Sequence, residues 1–163
     1  MLIRPLDVMK DLEAVIDFYH QNADYWLMAE GQLPGVQKSA DFFTDGPPGC
    51  DPMQSERLGL FLNDELAGLA ELSFGFPEPD AAYLGLMLLG TAARGLGHGK
   101  TLLSHVENLA RRAGSPQLYL AVLQANSRGH AFWTREGYVS TGLSRVDNSN
   151  GLNHVITRLV KVL

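Results

Sequence analysis

The stretch Ala93-Arg94-Gly95-Leu96-Gly97-His98-Gly99-Lys100-Thr101 stands between two segments of different periodicity. Before it, Tyr83 to Leu89 is a nearly unbroken apolar run, the pattern of a central strand buried on both faces. After it, Leu102, Leu103, Val106, Leu109, Ala110 and Ala113 recur on one helical face, and Gly114 and Pro116 close the helix. The glycines let the backbone approach a ligand closely and turn successive N–H groups toward it. The helix start adds roughly half a positive charge, so the expected occupant is an anion such as a phosphate or pyrophosphate.

Downstream of this helix, Leu118 to Leu123 reads as a further apolar strand. Ser127 to Glu136 follows as a short helix with Asn126 as N-cap, then a strand from Tyr138 to Val146. Asn148-Ser149-Asn150-Gly151 is a hairpin turn signal leading into a last strand over His154 to Val162. Upstream, Leu58 to Leu62, Asn63-Asp64 and Glu65 to Phe76 form a strand, turn and strand. At the start, Leu2-Ile3-Arg4 is a short strand, and Asp7 caps a helix over residues 8–22 whose buried stripe is Leu12, Val15, Ile16 and Tyr19. A second helix is expected from Val36 to Phe43, within a polar loop region from Asp24 to Asp45 that carries four acids against Lys38, a local charge of −3. Strands and helices alternate in a mixed pattern, so the class is α/β or α+β with one layered sheet.

The chain has 163 residues, of which 45% are hydrophobic and 19% charged, a composition that fits one domain over 1–163 with its own core. The net charge of −5 argues against a nucleic-acid partner. No apolar stretch is long enough for a membrane helix and no signal core follows Met1, so a soluble cytoplasmic protein is expected. Cys50 is the single cysteine, and His20, His98, His105, His130 and His154 are scattered, so no metal site is expected.

Spacing discriminates among phosphate-binding turns. An ATPase P-loop ending in Gly99-Lys100-Thr101 would need glycine at position 94, which is Arg94. A dinucleotide fingerprint beginning at Gly95 would need glycine or alanine at position 100, which is Lys100. The pattern Arg-x-x-Gly-x-Gly is met by Arg94, Gly97 and Gly99, and a second pattern by Asn126, Trp133, Gly137 and Tyr138. In these two motifs the chain resembles the GCN5-related N-acetyltransferase (GNAT) family, most specifically between Tyr83 and Tyr138 but in element order over nearly its whole length.

The resemblance implies a mixed, mostly antiparallel sheet with helices on both faces, splayed between its fourth and fifth strands so that the pantetheine of acetyl-coenzyme A lies between them. It implies that the turn from Arg94 through Gly95, Leu96, Gly97, His98, Gly99, Lys100 and Thr101 holds the pyrophosphate, that backbone groups of Met87, Leu88 and Leu89 pair with the pantetheine arm, and that Asn126, Phe132 and Trp133 border it. Each has a plainer reading beside it: a tight strand-to-helix connection for the glycines, a helix cap for Asn126, core packing for Phe132 and Trp133, and solvated side chains for His98 and Lys100.

Acetyl transfer to an amine needs a base, because an alkylammonium has a pKa of about 10.4. Glu71, inside Leu69-Ala70-Glu71-Leu72, is the leading candidate, with a solvated position on an edge strand as the alternative. Asp80, Tyr83, His154 or an ordered water are substitutes. A backbone N–H near Leu88 or Leu89 would meet the developing oxyanion. Where many relatives have a tyrosine to protonate the thiolate, this chain has Trp133, whose indole donates a hydrogen bond but no proton. With a thiol pKa of about 8.5 the thiolate leaves tolerably without an acid; Tyr138, Tyr83 or a water are the alternatives. Net acidity favours a cationic amine as acceptor, of a small molecule or of a protein or peptide; polyamines, aminoglycosides, amino acids and protein N-termini or lysines are all open. A non-catalytic acyl-coenzyme A sensor is the second reading, and an exposed C-terminal strand offers an edge for a homodimer.

Overall fold

A computed structural model of the chain describes residues 1–148 and 151–163. The predicted turn therefore falls partly on Ser149 and Asn150, outside the described residues. The elements are β1 (Leu2–Pro5), α1 (Val8–Gln21), α2 (Ala23–Glu30), α3 (Val36–Asp41), β2 (Glu56–Leu62), β3 (Glu65–Phe74), β4 (Ala82–Leu89), α4 (His98–Arg112), β5 (Gln117–Leu123), α5 (Ser127–Arg135), β6 (Val139–Asp147) and β7 (His154–Val162). They build one seven-stranded sheet in the order β1-β2-β3-β4-β5-β7-β6, antiparallel throughout except for the parallel pair β4–β5.

Local chemistry explains most boundaries. Asp7 caps α1, its carboxylate accepting from Met9 N at 2.9 Å. Arg4 of β1 then reaches Asp11 of α1 at 2.7 Å and fixes the helix against the sheet edge. Asn63 (φ 51°) and Asp64 (φ 67°) both take positive φ, as a tight two-residue hairpin requires, and join β2 to β3. Helix α4 buries Leu102, Leu103, Val106 and Ala110 against Leu58, Leu72, Leu84, Leu118 and Leu120 on one sheet face. Each such leucine or valine side chain contributes about 1.5–3 kcal/mol on burial. On the other face Val15, Phe18 and Tyr19 of α1 and Trp26 of α2 cover Phe61, Leu69 and Leu88. Among the described residues no helix is long and apolar enough to cross a membrane.

Five expectations need correction. The C-terminal strand β7 lies between β5 and β6, so it presents no free edge for a homodimer, and β6 is the edge strand. The buried face of α1 is Asp11, Val15, Phe18 and Tyr19, with Leu12 and Ile16 only half-buried. The region from Asp24 to Asp45 is largely helical, not loop: α2 has no clean apolar period because Tyr25, Trp26, Leu27 and Met28 are contiguous, yet its residues include good helix formers and Gly31 ends it at φ 71°. Ala113 is exposed just past the end of α4 and adds nothing to its buried face. Strand β4 is not buried on both faces; Gly85 is exposed and Leu86 and Met87 are half-buried, because β5 leaves β4 halfway along.

Candidate active site

Strands β4 and β5 pair only at Ala82–Leu118, Tyr83–Tyr119 and Leu84–Leu120. Beyond Leu84, β4 stays with β3 as far as Leu89, while β5 stays with β7 as far as Leu123. The two strands part because each follows its outer neighbour. A β-bulge at Gly85 marks the start of the separation: Leu84 faces Leu72 and Leu86 faces Glu71, leaving Gly85 as the extra residue. The gap opens into a cavity of about 720 Å³, with Leu86 and Met87 on one side, Ala121 to Leu123 on the other, and Asn126 and Trp133 behind.

At the C-terminal end of β4 the chain turns through Thr91–Ala93 and the glycine segment into α4. Gly95 (φ 76°) and Gly97 (φ 85°) take left-handed conformations that other residues rarely adopt. Nothing lies within 4 Å of where a Cβ would sit on either, so the backbone requires glycine there and the space beyond stays open. The amides of His98, Gly99 and Lys100 precede any intrahelical acceptor, the helix has no acid in its first turn, and the first amide to find one is Thr101, bonded to Gly97 O at 3.2 Å. Gly99 has a different reason: a Cβ would sit 3.3 Å from Phe132 Cε2, so α5 packs directly on the start of α4. This end of the cleft is built to receive an anion.

Leu96, Lys100 and Thr101 are exposed around this turn and His98 is half-buried. Arg94 does not point at it. Its Nε donates to Leu89 O at 2.8 Å and its guanidinium grips Asp24 of α2 at 2.5 and 3.2 Å. Leu89 and Leu88 lie at the end of β4 beyond the cavity lining, Leu88 buried against the α1 side and Leu89 packed toward α4.

Glu71 lies on an interior strand, 5% exposed, at the edge of the cavity. That excludes the solvated edge-strand alternative. Its carboxylate accepts from Ser73 Oγ at 2.5 Å and from the Gly85 amide, and Ser73 Oγ is in turn 2.9 Å from Ser55 Oγ. A Cβ on Gly85 would overlap Glu71 Oε2, so the bulge glycine is what makes room for the carboxylate. Burial holds the Glu71 pKa above the ordinary carboxylate range, opposed by the Ser73 bond, the Arg57 charge and the Ser55 and Gly85 contacts. Arg57, opposite Glu71 on β2, is itself buried and donates to three backbone carbonyls, Phe42 O, Pro52 O and Asp45 O, at 3.0, 2.9 and 2.7 Å.

Tyr83 lines the cavity with its ring edge-on to Phe76, centroids 5.0 Å apart, and burial raises its pKa. Asn126 lines the cavity too, and its Oδ1 caps α5 by accepting from Gly129 N at 2.8 Å. Trp133 is buried between Phe132 and Tyr138, ring centroids 4.9 and 5.3 Å away, with a face on the cavity. The remaining substitutes fare worse. Tyr138 donates to Glu107 Oε1 at 3.3 Å away from the cavity, Asp80 sits on an exposed turn, and His154 is outside the lining. Among the described residues no group of His, Cys, Asp or Glu is arranged to hold a metal. Sequence reasoning missed Arg57, Ser73, Phe76, Arg145 and Arg158; Ser73 was legible as the same-face neighbour of Glu71 two residues on.

The sequence model of the acetyltransferase (GNAT) family matches residues 16–138. A search of curated protein sequences finds no match. Among solved structures, a ribosomal-protein-alanine N-acetyltransferase from Brucella melitensis superposes with a TM-score of 0.78 at 20% identity, covering 100% of both chains. An acetyltransferase from Thermus thermophilus gives 0.73 at 23% identity over 100% of this chain and 98% of that one. The PaiA N-acetyltransferase from Thermoplasma acidophilum, in complex with coenzyme A, gives 0.67 at 21% identity, over 99% and 98%. The splayed strands, the glycine turn at the head of α4 and the family match over most of the sequence together establish that this chain belongs to the GNAT acetyltransferase family.

Proposed function

We propose that the chain transfers the acetyl group of acetyl-coenzyme A to the primary amine of a small molecule, by direct attack in a ternary complex. The observation that carries this reading is the placement of the two ends of the cleft. Unpaired amides of the glycine turn lie beyond the C-terminal end of β4, and Glu71 lies beside the bulge where β4 and β5 separate. An extended cofactor held by its diphosphate at the turn can run along the free edge of β4 and bring its thioester near Glu71. The coenzyme A complex of the structurally similar PaiA enzyme supports the same cofactor here.

In that arrangement Glu71, with its raised pKa, takes the proton from the incoming ammonium. The amine nitrogen then forms a C–N bond to the acetyl carbon and the carbonyl oxygen gains charge. The acylated nitrogen releases its second proton to water, and the collapse breaks the C–S bond with its electron pair left on sulfur as the coenzyme A thiolate. A backbone amide on the free edge of β4 is the donor for the oxygen; Leu88 and Leu89, the positions expected for it, lie just beyond the cavity lining. Trp133 supplies shape and an N–H donor but no proton, so the thiolate leaves unprotonated or takes a proton from water. The carboxylates of Asp41 and Asp45, which line the cavity on the helical side, favour entry of a cationic amine.

The test is release of free thiol from acetyl-coenzyme A across a panel of amines, run beside calorimetric titration with coenzyme A. Saturable binding with thiol release by a small amine is expected. Binding without release by any amine would instead mark the chain as an acyl-coenzyme A sensor.

A further inference from the structure

Arg145 and Arg158 line the same cavity as Glu71 and Tyr83, from the wall formed by β6 and β7. Strand register explains how they get there. Arg158 lies opposite Ala121 of β5, and Arg145 lies opposite Ile156, two residues before Arg158. Tyr83 lies opposite Tyr119, two residues before Ala121, and opposite Ser73 on its other side. Alternate residues share a face, so Ser73, Tyr83, Arg158 and Arg145 all project from the face that carries Glu71.

The two guanidinium groups differ from the other arginines lining or framing the site. Arg94 is bound to Asp24 and Arg57 to three backbone carbonyls. Among the described residues, neither Arg145 nor Arg158 has a side-chain hydrogen bond or an ion pair. Arg158 is half-buried, with its guanidinium carbon 5.2 Å from the centroid of Phe76, whose ring also makes a T-shaped contact with Tyr83. That cation–π contact orients the group without neutralising it. Arg145 is exposed at the rim of the cleft, and Asp147, two residues beyond it, lines the same cavity and has an interaction of its own. Across the cavity the charge is reversed: Asp41 and Asp45 line the helical wall, with Glu30, which is paired to Lys38 at 2.5 Å. A guanidinium held at a cleft without a counter-ion is the complement of a carboxylate, which it binds through parallel N–H donors.

We propose that the acceptor is an amino acid or close analogue, a primary amine whose other end is a carboxylate, and that Arg158 and Arg145 hold that carboxylate while the nitrogen is presented to Glu71. The assignment rests on the N-acetyltransferase reading and narrows it. It sets aside polyamines and aminoglycosides, which carry no anion for the arginines, and makes the two residues specificity determinants.

The test is calorimetric titration of the coenzyme A-bound protein with L-amino acids and with the matching amines that lack the carboxylate. At least one amino acid should bind about tenfold or more tightly than its decarboxylated counterpart. The Arg158→Gln and Arg145→Gln variants should each reduce that preference while leaving the affinity for coenzyme A unchanged, which also reports that they are folded. Equal or tighter binding of the plain amines, selective binding of peptides over free amino acids, a preference unaltered in both variants, or no binding of any amino acid would each overturn the proposal. Because this is a binding measurement, it is separable from the parent reading: amino-acid binding without any thiol release would count against the transferase and leave the subsite in place.

Discussion

Arg94 and Asp24 lie 70 residues apart in sequence and are joined by two contacts between guanidinium and carboxylate. The pair ties the entrance of the glycine turn to α2, whose Trp26 lines the cavity. The Arg94 hydrogen bond, opposed by burial and helped by the Arg94 charge, sets the Asp24 pKa below the ordinary carboxylate range. A depressed folded-state value gives stability that is present above the unfolded-state pKa and lost as pH falls through the folded one. Asp24 is half-exposed, so the Asp24→Asn variant should lose less than about 1 kcal/mol. Amide exchange in α2 should quicken in that variant, and an unchanged exchange rate would show that the contact does not restrain the helix.

Gly97→Val should abolish tight cofactor binding with a modest loss of stability. Its backbone has φ 85°, where a β-branched residue is strained by about 1–2 kcal/mol. The added side chain would occupy the open space next to the unpaired amides. Calorimetry with coenzyme A should show affinity weaker by more than tenfold, and wild-type affinity would move the diphosphate site elsewhere.

Glu71→Gln should keep coenzyme A affinity and lose most of the acetylation rate, with the residual activity shifted toward alkaline pH. In the native enzyme the acid limb of the rate profile should lie above the ordinary carboxylate range, since Glu71 must be ionised to accept a proton and burial raises its pKa. The sign for stability is opposite to that of Asp24. A raised folded-state value means stability present below the unfolded-state pKa and lost as pH rises through the folded one. Thermal unfolding of the variant should therefore lack that loss. A wild-type rate profile in the variant would remove Glu71 as the base.

Arg57→Met should be among the more damaging single changes, at about 2–4 kcal/mol. Three backbone carbonyls, of Phe42, Pro52 and Asp45, lose their donor, and buried Glu71 loses the nearest positive charge. Chemical denaturation would measure the loss, and the acid limb of the rate profile should move further upward. A loss below about 1 kcal/mol would mean that water replaces the guanidinium.

The local features were legible because short-range chemistry specifies them. Asp7 and Asn126 cap their helices as their side-chain oxygens predict. The Asn63-Asp64 turn has the positive φ values its residue types tolerate. The glycine turn sits between its strand and its helix as the change of periodicity implies. Helix α2 was hidden because a contiguous apolar block has no period to read, and a run of acidic residues resembles a loop covering.

Neighbours along the chain were enough to specify the order of strands and helices, the glycine turn with its amides, and the place of Glu71 on an apolar strand. Three relationships needed the folded molecule: β4 and β5 part after Leu84, Arg94 turns away to Asp24, and Arg145 and Arg158 share one cleft with Glu71. They depend on which strand each segment pairs with and on which face the register puts a side chain, and both are settled by burial across distant parts of the chain.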